Sequence, residues 1–166
     1  MKNYAMPMDK IVLNASPLIL LCNSELSFVL PALFSDIVVP ETVWQEIVQG
    51  SQHDQAAQML PELSWLTQVS TIQMPEIVRW DLGMGETDVL SFALQHNDYT
   101  PVLDDMLAKK CAHSLSIPTI GTGTIMILAK EHGLIESVEQ SLRKLQQAGL
   151  WITEPIIQLL KMKAGE

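Results

Sequence analysis

The stretch Pro101-Val102-Leu103-Asp104-Asp105 decides the fold, because a short apolar run ends there abruptly in two adjacent carboxylates. Such a run is typical of a buried strand in a sheet that helices cover on both faces. Open α/β sheets bind their ligands beyond the carboxyl ends of the strands. Adjacent carboxylates repel each other, and a bound cation would offset that repulsion. We therefore expect Asp104 and Asp105 to lie in a functional site.

Strand-like and helix-like segments alternate on both sides of this stretch. The apolar runs predict strands at 10–14, 37–40, 66–69, 101–103 and 117–120, with a short extended piece at 151–153. Periodicity and capping residues predict helices at 18–22, 28–34, 43–49, 51–63, 86–95, 106–114, 125–132, 136–148 and 155–163. Residues 71–80 are expected to form a loop. The alternation predicts an α/β fold with a parallel sheet.

Composition indicates one domain, 1–166, in which residues 150–166 form a C-terminal strand and helix extension. The two cysteines match no ligand spacing, so we interpret them as reduced core residues of a cytoplasmic protein. No signal peptide is apparent, and the longest apolar stretch, 11–22, is too short and interrupted to span a membrane. The net charge of −9 repels nucleic acid, so a nucleic-acid function would need metal ions and a local basic patch. The acidity could also serve solubility alone.

Other polar residues are expected at the same edge of the sheet. Asn14 ends the first strand, while Glu46 and Glu86 lie in early helical turns that could point back towards that edge. Each has a simpler explanation. Glu86 could stabilise its helix dipole, Glu46 could be a solvated helix residue, and Asp105 could cap the next helix.

Two further motifs are compatible with either capping or a site. Ser16, followed by Pro17, predicts a helix N-cap, and Thr42 predicts another. Gly121-Thr122-Gly123 could be a phosphate loop, but it lacks the Walker lysine, so a capping turn is the alternative.

Taken in order, these motifs resemble a PIN domain, the nuclease fold of VapC-type toxins. The resemblance is nearest to a PIN-like group of predicted nucleic-acid-binding proteins, and it covers the chain up to about Gly149. It is carried by the stretches Ile11–Leu21, Val39–Ile47, Gly85–Ala93, Val102–Ala112 and Ile120–Gly133. It implies a three-layer α/β/α fold with a central parallel sheet.

The resemblance also implies a site and an activity. The family's acidic positions fall on Asn14, Glu46, Glu86 and either Asp104 or Asp105. Residues at such positions bind one or two Mg²⁺ or Mn²⁺ ions, which activate water for RNA cleavage. The implied partners are an RNA substrate, an antitoxin and a second copy of the chain, with no membrane.

Substrate contacts are expected from Asn14, Ser16, Lys109 and Thr122. The lysines Lys109 and Lys110 follow the acidic pair by one helical turn and could meet phosphates, although a solvated helix face is the slightly favoured explanation.

Asn14 departs from the family pattern, which has Asp at this position. Asn keeps one carbonyl oxygen but brings no negative charge, and this weakens divalent-metal affinity. The first hypothesis is therefore a toxin-type ribonuclease weakened at Asn14. The second is an inactive PIN-fold interaction protein that binds a basic partner. A response-regulator-like domain is a third reading, but its acidic pair would sit near the first strand.

Overall fold

A computed structural model describes residues 9–50 and 55–166 of the chain. In these residues four parallel strands form one sheet in the order β3-β2-β1-β4. The strands are Lys10–Leu13 (β1), Asp36–Pro40 (β2), Leu66–Val69 (β3) and Tyr99–Val102 (β4). The apolar residues of β1 and β2 are buried, as expected for strands that helices cover on both faces.

Helices on both faces of the sheet complete the predicted three-layer α/β/α architecture. Those joining the strands are Ala15–Asn23 (α1), Val29–Leu33 (α2), Glu41–Gln49 (α3), Gln55–Met59 (α4), Pro75–Val78 (α5) and Met84–Gln95 (α6). Those after the last strand are Met106–Ser114 (α7), Thr122–Glu131 (α8), Val138–Gln147 (α9) and Glu154–Lys163 (α10). The helical crossovers allow every strand pair to be parallel.

The core consists mainly of aliphatic side chains, as the low aromatic content predicts. Cys22 and Cys111 are both buried and free, so they are core residues rather than ligands or a disulfide. Burial raises the pKa of the Cys22 thiol to about 11 and keeps it protonated at neutral pH.

The first predicted helix cap is wrong. We expected Ser16 to cap a helix with Pro17 at its first position, but α1 begins at Ala15 and Asn14 is its N-cap residue. Ser16 is exposed inside the first turn. Pro17 is tolerated there because the first-turn amides of a helix have no intrahelical partner.

The second predicted cap, Thr42, is also wrong. Helix α3 begins at Glu41, and its N-cap residue is Pro40, whose backbone is extended. Thr42 therefore lies inside the first turn, where its hydroxyl is free to bond another element.

Two predicted strands do not form. Residues 117–120 contribute only one bridge, between Val102 and Ile120. Pro118 interrupts this segment and has no amide hydrogen to continue a ladder. Residues 151–153 belong to no strand either and lead directly into α10.

Two other segments differ in part from the prediction. The expected loop at 71–80 contains the short helix α5, which Pro75 begins at a position where its missing amide hydrogen costs nothing. The helix expected at 51–63 is present as α4 followed by a 3₁₀ turn, Leu60–Glu62, while residues 51–54 lie outside the described part.

The C-terminal helix α10 packs against α8 and α9. Its residue Ile157 is completely buried, and Arg143 of α9 donates two hydrogen bonds, of 2.7 and 2.6 Å, to the Glu154 carboxylate at the start of α10. Lys161 of α10 lies 2.6 Å from Glu139 of α9. None of the helices in the described ranges is both long enough and apolar enough to cross a membrane.

Candidate active site at the carboxyl edge of the sheet

The ends of the two neighbouring strands β1 and β4 define one edge of the sheet. Asn14 follows β1 and is 6% exposed, and its backbone amide donates to the Val102 carbonyl at 3.4 Å. Asp104 and Asp105 follow β4 after one further residue. The backbones of Asn14 and of the acidic pair therefore follow neighbouring strands at the same edge of the sheet.

Asp104 binds the start of α8. Its two carboxylate oxygens accept hydrogen bonds from the Thr122 amide, at 2.9 Å, and from the Thr122 hydroxyl, at 2.5 Å. A carboxylate at a helix N-terminus also meets the positive end of the helix dipole. Asp104 thus joins the end of β4 to α8.

Asp105 caps helix α7, which was one of the two roles expected for it, beside metal binding. Its carboxylate accepts a hydrogen bond from the Ala108 amide at 2.9 Å, which makes it the N-cap of α7. The side chain is nevertheless exposed, and its charge acts on Glu86. Of the two adjacent carboxylates, Asp105 is therefore the one that interacts with Glu86.

Glu46 reaches from α3 to the first turn of α6. Its Oε1 atom accepts a hydrogen bond of 3.0 Å from the Gly85 amide. A Cβ atom at position 85 would lie 2.6 Å from that oxygen, so only glycine permits this approach. The neighbouring residue on α6 is Glu86, and the contact brings the two glutamates to the same edge.

Glu86 lies among like charges. Burial, the charge of Asp105 and then that of Glu46 raise the pKa of the Glu86 carboxyl above its ordinary value, against a hydrogen bond from the Gly83 backbone that lowers it. A cation at this edge would remove the repulsion. The raised pKa of Glu86 therefore reflects its burial and the charges of Asp105 and Glu46 acting on it at this edge of the sheet.

Asp88 is a site-supporting residue that the sequence reasoning missed. It is 6% exposed, and its carboxylate accepts hydrogen bonds from the Thr42 hydroxyl at 2.6 Å and from the Gln73 side-chain amide at 3.1 Å. These bonds fix α6 to α3 two residues after Glu86. An acidic residue directly before the apolar pair Val89-Leu90 was the available signal, because a buried carboxylate needs partners.

The predicted substrate contacts occupy different positions around this edge. Ser16 is exposed on α1, Lys110 is exposed on α7, and Lys109 is partly buried. The Lys109 ammonium lies 3.4 Å from where a Cβ of Gly121 would be, and an Asp104 oxygen lies 3.1 Å from the same point. Thr122 is fully buried, and Asp104 engages both of its donor groups. Its predicted contact with substrate stays a prediction.

The donor set fits a hard divalent cation only in an open form. Within the described residues, no three His, Cys, Asp or Glu side chains are arranged to hold one ion together. Glu46 and Asp105 also accept backbone hydrogen bonds. Mg²⁺ commonly binds one or two protein carboxylates and keeps several waters or substrate phosphates. Two carboxylate oxygen donors at this edge are therefore enough for a Mg²⁺ ion that keeps its remaining ligands as water or phosphate.

Comparison with known proteins identifies the family. A family model described as a PIN domain matches residues 10–166, which is nearly the whole chain. The chain therefore belongs to the PIN-domain family, as the resemblance of its motifs predicted. The fold and the family together define a nuclease-like protein of a class that binds nucleic acid. No match was found among curated proteins or among solved structures.

Proposed function

We propose that this PIN-domain protein is a Mg²⁺- or Mn²⁺-dependent endoribonuclease whose reaction takes place at the carboxyl edge of the sheet. The observation that carries the proposal is the approach of Glu46 to the first turn of α6, with its oxygen 3.0 Å from the Gly85 amide. This contact joins α3 to α6, and the charge of Asp105, after the end of β4, also acts on Glu86. PIN domains generally use divalent metals, which is consistent with such a set.

Glu86 and Asp105 are the proposed metal-holding residues, with Glu46 and Asn14 contributing through water. The metal would supply an activated water and stabilise the charge that develops on the phosphodiester. Glu86 is suited to this role because it is partly buried and feels both neighbouring carboxylates. Asp104 has a positioning role, since both of its oxygens hold Thr122 at the start of α8.

The resemblance to VapC-type proteins and the two cysteines support further parts of the proposal. The toxin role, the antitoxin partner and the homodimer follow from the resemblance to VapC-type proteins. The cytoplasmic location follows from the two reduced cysteines. Each can fail without affecting the cleavage proposal.

An inactive interaction protein remains the second candidate because of Asn14. This residue is 6% exposed at the end of β1, where it adds no charge to the acidic edge. The edge would then bind a basic partner through its carboxylates. Asn14→Asp would strengthen metal binding in either case, but it would create cleavage only if the remaining residues are catalytically arranged.

The proposal is tested by incubating the purified protein with diverse single-stranded RNAs and Mn²⁺. We expect cleavage that EDTA abolishes, and we expect Glu86→Gln to lower the rate at least about 100-fold because a charged metal ligand is lost. Glu131→Gln, an exposed carboxylate near the end of α8, serves as the matched control and should cleave like wild type.

Two results would contradict the ribonuclease proposal. One is intact RNA with wild type and Mn²⁺ over a wide range of substrates. The other is cleavage that Glu86→Gln leaves unchanged, since this would assign the activity to a contaminant or to another site.

A further inference from the structure

A cavity of about 330 Å³ lies directly beside the acidic edge and is not used by the proposed reaction. Asp104, Lys109, Gly121 and Thr124 are among the residues that line it. Leu150, Trp151, Ile152, Ile156 and Leu160 add apolar lining from the C-terminal part of the chain. The cavity therefore connects the proposed reaction site with the C-terminal segment of the chain.

Trp151 stands on the rim of this cavity with 88% of its side chain exposed. The segment that presents it is anchored, because Leu150 and Ile152 are partly buried on either side and Gln146 donates to the Ile152 carbonyl at 3.2 Å. The chain enters this segment through Gly149, whose φ of +117° is favourable only for glycine. An indole ring is thus held in solvent by a fixed backbone, with no described side chain stacked on it.

Lys109 supplies a positive charge to the lining of the cavity. It makes no ion pair with any residue in the described ranges, although the chain carries a net charge of −9. Its ammonium lies beside Gly121, where the absence of a side chain leaves the backbone accessible. A lysine and an exposed aromatic ring that line the same cavity complement a phosphate joined to a base better than they complement an apolar peptide.

We infer that this cavity binds one nucleotide of a single-stranded RNA, with the base stacked on Trp151 and its phosphate near Lys109. This inference rests on the proposed function and specifies its substrate as unpaired RNA, because a base within a duplex has no face free for stacking. The bound nucleotide would place the next phosphodiester at the acidic edge. Stacking of a base on an aromatic side chain tolerates different sequences.

The inference is tested by binding a fluorescein-labelled oligouridylate of eight nucleotides in EDTA at low ionic strength, followed by anisotropy. We expect Trp151→Ala to weaken binding at least about fivefold and Trp151→Phe to restore most of it, since phenylalanine keeps a stacking face. Met162→Ala removes another exposed apolar side chain of the C-terminal region, 74% exposed, and should not change the affinity.

The lysine is tested with a matched neighbour. Lys109→Gln should weaken binding and lower the salt dependence by about one phosphate contact, whereas the exposed Lys110→Gln should leave both unchanged. Wild type should bind a duplex RNA of the same length more weakly than the single strand. Trp151→Ala should bind the duplex and the single strand with equal affinity.

The inference is overturned if wild type does not bind the single strand, or if Trp151→Ala binds it as wild type does. It is also overturned if Trp151→Ala converts a dimer into a monomer in sedimentation without changing RNA affinity, because a second copy would then cover the indole. Cleavage is measured separately with Mn²⁺. Cleavage without Trp151-dependent binding would retain the proposed function and reject this inference. Trp151-dependent binding without cleavage would retain this inference and reject the proposed function.

Discussion

Asp104 and Asp105 have different roles although they are neighbours in the sequence. Asp104 accepts two hydrogen bonds from Thr122, and Asp105 caps α7 while its charge acts on Glu86. The sequence predicted that both follow a strand at the site edge. It could not distinguish them, because the choice depends on Thr122, which lies 18 positions further along the chain.

The pairing of Asp104 with Thr122 predicts a coupled effect on stability. Asp104→Ala should lower the free energy of unfolding by about 1.5–3 kcal/mol, the usual range for hydrogen bonds to a charged group. Thr122→Val should also destabilise, and the double variant should cost less than the sum of the two, as measured by urea denaturation. Additive effects of the two substitutions would show that Asp104 and Thr122 do not interact in solution.

The raised pKa of Glu86 predicts a pH-dependent stability difference. In the folded protein Glu86 keeps its proton above its ordinary pKa of 4.5, so its contribution makes stability fall as pH rises from 4.5 through the raised pKa. Glu86→Gln removes this loss. Relative to wild type, the variant should therefore be more stable at pH 7 than at pH 4 in urea unfolding, and Mn²⁺ should reduce the difference at pH 7.

Glu131→Gln is the control for this experiment, since its carboxylate is exposed at the end of α8. A stability difference between Glu86→Gln and wild type that is the same at both pH values would refute the electrostatic explanation.

Helices α3 and α6 are the elements that assemble the acidic edge. Their contact depends on the buried Asp88, which binds Thr42 of α3, and on the Glu46 bond to Gly85 of α6. The sequence predicted both helices from their apolar periodicity. It misassigned Thr42 as a cap because the competing partner, Asp88, is 46 positions distant and is visible only in three dimensions.

The close approach at Gly85 predicts a specific effect of adding one methyl group. Gly85→Ala would place a Cβ 2.6 Å from Glu46 Oε1. Because the flexible end of Glu46 can move aside and alanine has the better helix propensity, stability should change by no more than about 1 kcal/mol, but the bond from the Gly85 amide to Glu46 should be lost. Metal affinity should fall with it. Gly83→Ala is the matched control, since its nearest neighbour, Glu86 Oε2, would be 3.9 Å away.

Urea unfolding and Mn²⁺ titration of both glycine variants check this prediction. If Gly85→Ala bound Mn²⁺ as well as Gly83→Ala does, the position of Glu46 at the start of α6 would not matter for metal binding.

At the scale of the whole molecule, the parallel sheet brings polar residues from distant segments to one edge. The alternation of apolar runs and helical segments was sufficient to predict a parallel sheet covered by helices. The family match confirms the resemblance to a PIN domain that the motifs carried. The order of the strands and the packing of α10 were not accessible from local patterns. They depend on side-chain fit between elements far apart in the chain, as at Ile157.

The packing of α10 on the rest of the molecule predicts different effects at two adjacent isoleucines. Ile157 is completely buried, so Ile157→Ala should lower the free energy of unfolding by about 2–5 kcal/mol through lost burial and a residual cavity. Ile156 is 45% exposed, and Ile156→Ala should have a much smaller effect. Equal effects in urea denaturation would mean that α10 does not occupy this position in solution.

The central claim is that carboxylates from α3, α6 and the end of β4 bind a divalent cation at one edge of the sheet. The most direct measurement is calorimetric titration of Mn²⁺ into wild type, Glu86→Gln and Glu131→Gln. We predict a saturable site in wild type and Glu131→Gln, with affinity lowered at least about tenfold in Glu86→Gln because a charged ligand is lost. Absence of binding in wild type, or equal affinity in all three proteins, would contradict the account.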